Sequence, residues 1–168
     1  MVRLLHHLRL RFFPLRRLDP DFGTLLFIFI PNAPERSYWE GAWIFPKTGD
    51  LVGIGLDGDE TGPFDGSRQF FLSLPDRFDF ILAAVRPKLT QVFAEWLQQD
   101  LPTDMFSAVK LSGFGFDIAN RGTGPDALTD ISSGQMTWDV TFETTGNRWL
   151  GITIPFAGDE PTEPIVDT

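Results

Sequence analysis

Apolar residues recur at every second position through most of this chain, and at every third or fourth position in one central stretch only. A period of two marks a half-buried strand, and a period near 3.6 marks an amphipathic helix. The order strands, helix, strands predicts an α+β fold: a mostly antiparallel sheet of about seven strands with a central helical segment packed on one face. At 168 residues the chain fits a single domain, 1–168, long enough to bury roughly two-thirds of its unfolded surface. Seventeen Phe and five Trp predict an aromatic core.

The first strand is read over residues 7–13, with Leu8, Leu10 and Phe12 on one face and Arg9 and Arg11 on the other. Turn chemistry at Asp19-Pro20-Asp21-Phe22-Gly23 leads into a β-rich run over 24–30, giving a hairpin. Runs at 38–45 and 51–56, joined by Lys47-Thr48-Gly49-Asp50, complete a four-strand meander, and the acidic, glycine-rich stretch 58–66 reads as a loop. Asp76 is the candidate N-cap of a stripe through Phe78, Ile81, Leu82 and Val85. Pro87 kinks or restarts that helix before a second stripe, Leu89, Val92, Phe93, Trp96 and Leu97, while residues 69–74 fit either helix or strand. Three more strands are expected: 109–118 with Phe114 and Phe116 inward, 136–144 with Met136, Trp138, Val140 and Phe142 alternating, and 148–155. Gly53, Gly55, Gly113 and Gly115 read as close-packing or bulge positions. Residues 158–168 read as a frayed acidic tail.

The charges are segregated. Residues 1–18 hold five Arg and no carboxylate, whereas residues 19–168 hold nine Lys/Arg against all 23 Asp/Glu, for a chain total of −9. An acidic body repels nucleic acid and anionic lipid and attracts cationic proteins. Arginines interrupt every apolar run of the basic arm, which excludes a secretory signal, and the longest apolar run, 25–31, is too short to span a bilayer. With no Cys, disulfides and thiolate chemistry are excluded and a reducing, cytoplasmic compartment is expected. His6 and His7 are adjacent, face opposite ways in an extended arm and have no acidic neighbour to orient them. Trp39, Trp43, Trp138 and Trp149 lie in predicted strands and are assigned to the core rather than to a sugar or base platform. No catalytic residue, metal site or cofactor is expected.

The sharpest local pattern is a strand ending in Asp57-Gly58-Asp59-Glu60-Thr61. It resembles the opening motif of the haloacid-dehalogenase-type phosphotransferases. That resemblance implies Asp57 as nucleophile and Asp59 as acid/base, the pair holding Mg²⁺, with Lys88 or Lys110 on the phosphate and Asp159 as a later metal ligand. The alternating β/α units of that fold are missing after residue 61. The same residues imitate a calcium loop until position twelve, where Arg68 replaces the required Glu. An acidic hairpin loop is the preferred reading, with a Mg-dependent phosphohydrolase as the alternative.

Asp21-Phe22-Gly23-Thr24, then Tyr38-Trp39-Glu40-Gly41, then a strand, an acidic turn and a helix resemble small bacterial immunity proteins encoded beside polymorphic toxins, over roughly residues 15–100. The resemblance implies a non-enzymatic, acidic protein-binding module that occludes a basic toxin. Asp57, Asp59, Glu60 and Asp65 are the candidate partner contacts. A structural module, in which the basic arm docks on a neighbour's acidic body, is a third reading.

Overall fold

The alternating positions sort into strands whose buried side chains share one core with the buried stripe of a long helix. The computed structural model describes residues 13–116 and 137–168. Ten strands form one sheet among them: β1 (Arg16–Asp19), β2 (Gly23–Ile28), β3 (Tyr38–Ile44), β4 (Leu51–Asp59), β5 (Gly62–Pro63), β6 (Val109–Phe116), β7 (Thr137–Thr144), β8 (Gly151–Ala157), β9 (Glu160–Pro161) and β10 (Ile165–Asp167). Spatial order is β1-β2-β3-β4-β6-β7-β8-β10, with β5 on β4 and β9 on β8. Every pairing is antiparallel except β4 with β6, registered at Gly53 with Gly113 and Ile54 with Phe114. That one parallel pair follows from the connection between them, because a crossover through a helix brings the chain back in the same direction. The α+β expectation of a mostly antiparallel sheet with a helix on one face is met, with more strands than the seven expected.

The helix is longer than its sequence signals allow. Asp76 does not cap it: α1 (Asp65–Val92) starts eleven residues earlier, with Phe64 at the N-cap position, and continues as a π-helical segment, Phe93–Leu97. Pro75 and Pro87 lie inside α1, and residues 69–74 are helical. An interior proline costs about 3 kcal/mol or more, yet Phe71, Leu74, Phe78, Ile81, Val85, Leu89 and Val92 form one buried stripe through both prolines. Each such side chain gains roughly 1.5–3 kcal/mol on burial, so packing outweighs the two breaks. The expected loop over 58–66 is corrected likewise. It is the end of β4, a two-residue tip, β5 and the first turn of α1.

Aromatic rings link the layers. Phe45 packs against Trp43, Phe78 and Phe114 at centroid distances of 5.2, 4.8 and 5.1 Å, and Phe70 reaches Phe71 and Trp138 at 5.4 and 5.5 Å. Trp39, Trp43 and Trp138 are core residues as expected, but Trp149 precedes β8 and is half exposed. In β6 a bulge between Leu111 and Gly113 shifts the register, so Leu111 and Phe114 are both buried although three residues apart. This replaces the uniform alternation expected there.

Both ends of the expected topology also change. The strand expected over 7–13 lies outside the described residues apart from Phe13, and the partner of β2 is Arg16–Asp19, extended by a Phe27 N–H to Leu15 O bond of 2.9 Å. The tail at 158–168 is not frayed where the chain turns back: β9 and β10 both pair with β8. Trp138 Nε1 donates to Gly158 O at 2.7 Å, and Asp159 and Glu163 pair with Arg77 and Lys88 of α1. No described helix is long and apolar enough to cross a membrane.

Candidate functional site

The four acidic residues singled out by sequence sit at one corner, where β4 turns through β5 into α1. Asp57 lies opposite Tyr38 in the β3–β4 ladder. Its backbone is held at both ends: its N–H donates to the buried Ser67 Oγ at 3.0 Å and its carbonyl accepts from Phe64 N–H at 2.8 Å. Gly58 is required next, because a Cβ there would lie 2.7 Å from Pro63 Cα and 2.8 Å from Trp39 Cδ1. Trp39 Nε1 then donates to Asp59 O at 2.8 Å, which folds the hairpin back over the core.

The tip is tied by its own side chains. Asp59 Oδ1 accepts from the Thr61 hydroxyl at 2.5 Å and from the Thr61 N–H at 2.8 Å, and Arg17 donates to Thr61 O at 2.6 Å. The Thr61 hydroxyl holds the Asp59 carboxyl below the usual carboxylate range. Partial desolvation works against it, and backbone N–H groups add to it. Glu60 is exposed at the tip, and Asp65 is exposed in the first turn of α1, where the helix dipole favours a carboxylate.

The phosphotransferase parts are dispersed. Asp57 and Asp59 lie two residues apart on β4, but Lys88 is paired with Glu163, Lys110 with Glu143, and Asp159 with Arg77. Among the described residues no group of three or more His, Asp or Glu could hold a metal ion. Arg68, at the last position of the calcium-loop pattern, points to other work. It joins the buried Asp19 and the neighbouring Asp21, and its guanidinium lies 5.4 Å from the Phe22 ring centroid. Asp19 also accepts from Asp21 N–H and Phe22 N–H at 3.0 and 3.2 Å, so one carboxylate fixes the β1–β2 turn and docks it on α1.

Sequence reasoning missed a cleft at the far end of the molecule. About 690 Å³ in volume, it lies between the π-helical end of α1, the residues just before β6, and the β7–β8 connection. Gln98 closes the helix in the left-handed region, φ 55°, the one described non-glycine residue with positive φ. Its run Trp96-Leu97-Gln98-Gln99 was visible as the end of a stripe, but the opposing wall comes from residues about fifty positions later.

No protein-family model, no curated protein and no solved structure matches this chain. Twenty carboxylates and ten Lys/Arg lie among the described residues. Arg68, Arg77, Lys88 and Lys110 are bound to carboxylates. Arg17, Arg86 and Arg148 donate to backbone carbonyls. Most cations are thus engaged within the fold, while the acidic excess stands at the surface.

Proposed function

We propose that this protein is a non-enzymatic binding module of the immunity or antitoxin type, which occludes a basic toxin through the acidic corner formed by Asp57, Asp59, Glu60 and Asp65. The observation that carries this reading is the rigidity of that corner. Its carboxylates are borne by a hairpin tip and a helix start whose backbone is fixed by Ser67, Phe64, Trp39 and Arg17. A preformed acidic patch steers a cationic partner and loses little conformational freedom on contact. The lack of Cys supports a reducing, cytoplasmic setting for the encounter.

The test is to express whatever protein is encoded beside this chain and measure its association by stopped flow at several salt concentrations; a neighbour that is not basic, or that does not bind, counts against the reading. Reversing two of the exposed charges, with Glu60→Lys and Asp65→Lys together, is expected to slow association about tenfold at low salt and flatten its salt dependence. A rate that does not change on charge reversal removes the corner from the interface.

A further inference from the structure

We propose that the cleft at the end of α1 is a saccharide-binding site, separate from the acidic corner and independent of the reading given to it. Its walls are tied together before any ligand arrives. Arg148 Nη1 donates to Trp96 O at 2.7 Å, joining the β7–β8 connection to the helix end. Thr145 N–H donates to Ala108 O at 2.9 Å and Thr145 Oγ1 to Ser107 O at 3.2 Å, joining the same connection to the segment before β6. Thr144 Oγ1 braces the connection from within, donating to Arg148 O at 2.7 Å and accepting from Leu150 N–H at 2.8 Å. These hydroxyls are spent on the scaffold.

What the cleft leaves for a ligand is of another kind. Gln98, Gln99 and Asn147 are exposed in its lining, and their side-chain amides make no hydrogen bond among the described residues. Each amide carries both a donor and an acceptor, the combination that suits a hydroxyl, which also gives and takes a hydrogen bond. Trp96 lines the same cleft with 40% of its surface exposed and offers a flat apolar face to a ring. Among the described residues no carboxylate lines the cleft, although carboxylates outnumber cations two to one among them. A cationic ligand therefore finds no counter-charge there, and Arg148 opposes it.

The backbone is shaped to the same end. The π-helical turn and the left-handed Gln98 direct two successive amide side chains to the helix terminus, where a regular helix would continue its stripe. Such local departures occur disproportionately at functional sites. A neutral, ring-shaped polyol satisfies the amides, the indole face and the absence of acid together.

The probes are N,N′-diacetylchitobiose and cellobiose as neutral sugars and 3′-sialyllactose as an acidic one, each titrated into the full-length protein to about 10 mM, the range for weak shallow sites. Amide and indole resonances are followed by NMR. Saturable shifts are expected at the side-chain amides of Gln98, Gln99 and Asn147 and at the Trp96 indole, with at least one neutral sugar. Trp96→Ala is expected to weaken binding at least tenfold, and Trp149→Ala, outside the cleft, to leave it unchanged. Gln98→Gly separates site from scaffold: it removes an amide while relieving the left-handed backbone, so weaker binding should accompany an equal or higher Tm. Shifts confined to other surfaces, binding that survives both Trp96→Ala and Gln98→Gly, or no saturable shift with any neutral sugar would each overturn the proposal. Binding of 3′-sialyllactose alone would also overturn it, because an anion held by Arg148 is then the better description.

Discussion

At the scale of single residues, Asp19 carries more of the structure than its place in a turn motif signals. It is buried, bound to Arg68, and accepts two backbone N–H groups of the turn. Asp19→Ala leaves one buried and one part-buried N–H donor and a largely covered guanidinium short of a partner, so a loss of about 2–3 kcal/mol is expected by urea unfolding. A loss below about 0.5 kcal/mol would show that Asp21 alone suffices for Arg68. Asp59 makes a second residue-scale prediction. Because its carboxyl titrates below the usual range, the ionised form stabilises the folded tip. That contribution is complete above the ordinary carboxylate pKa of about 3.9 and is lost as pH falls through the lower folded value. An NMR titration should place Asp59 below the ordinary aspartate value, and Thr61→Val should return it toward that value. If Thr61→Val leaves the titration unchanged, the hydroxyl is not the cause. From the sequence, the D-x-D-x-T pattern was visible. Its role as a self-closed turn was not, because the pattern gives spacing and not which oxygen the threonine takes.

At the scale of elements, the strand at 24–30 was legible as a β-rich run, and those at 38–45, 51–56 and, from Thr137 onward, 136–144 because alternation and burial coincide. The first half of α1 was not. Its opening residues, Asp65-Gly66-Ser67, carry turn composition and Pro75 carries a stop signal. Only the continuous burial of Phe71, Leu74 and Phe78 reveals that packing overrides both. Pro87 is exposed, so its ring contributes little packing. Pro87→Ala is expected to raise stability by about 2 kcal/mol, the helix gain of about 3 less the roughly 1 kcal/mol of entropy returned to the unfolded chain. Thermal unfolding checks this, and a lower Tm would mean that the proline bend is needed to fit α1 to the sheet. The bulge in β6 was invisible for a related reason, since one displaced residue changes the facing of all that follow without changing composition. The cleft was illegible because its walls come from three distant segments, none of which carries a motif.

For the whole molecule, the sheet is completed by the segment that composition marked as loose. Short strands with Pro and Glu give no periodic signal, and β9 and β10 are two and three residues long. Their hold comes from pairing with β8, from the Trp138–Gly158 bond, and from ion pairs to α1. Removing residues 158–168 is expected to cost about 2–4 kcal/mol, mostly through the unsatisfied buried indole and lost ladder bonds. It should also promote self-association at the uncovered β8 edge. Calorimetry and light scattering of the shortened chain read both effects, and an unchanged Tm would return the tail to a passive role. The segregation of charge seen in the sequence resolves into a distribution over one sheet. Arg16 and Arg17, from the basic end, lie in β1, and Arg17 is drawn to the acidic hairpin tip.

The strand order has a practical corollary. β1 and β10 occupy opposite edges, seven spacings apart, which at about 4.8 Å each is roughly 34 Å before twist. Leu18 on β1 and Ile165 on β10 are both exposed. With no native thiol to compete, cysteines introduced at these two positions would carry a donor and acceptor dye, and their energy transfer would report the integrity of every intervening ladder in a single optical signal.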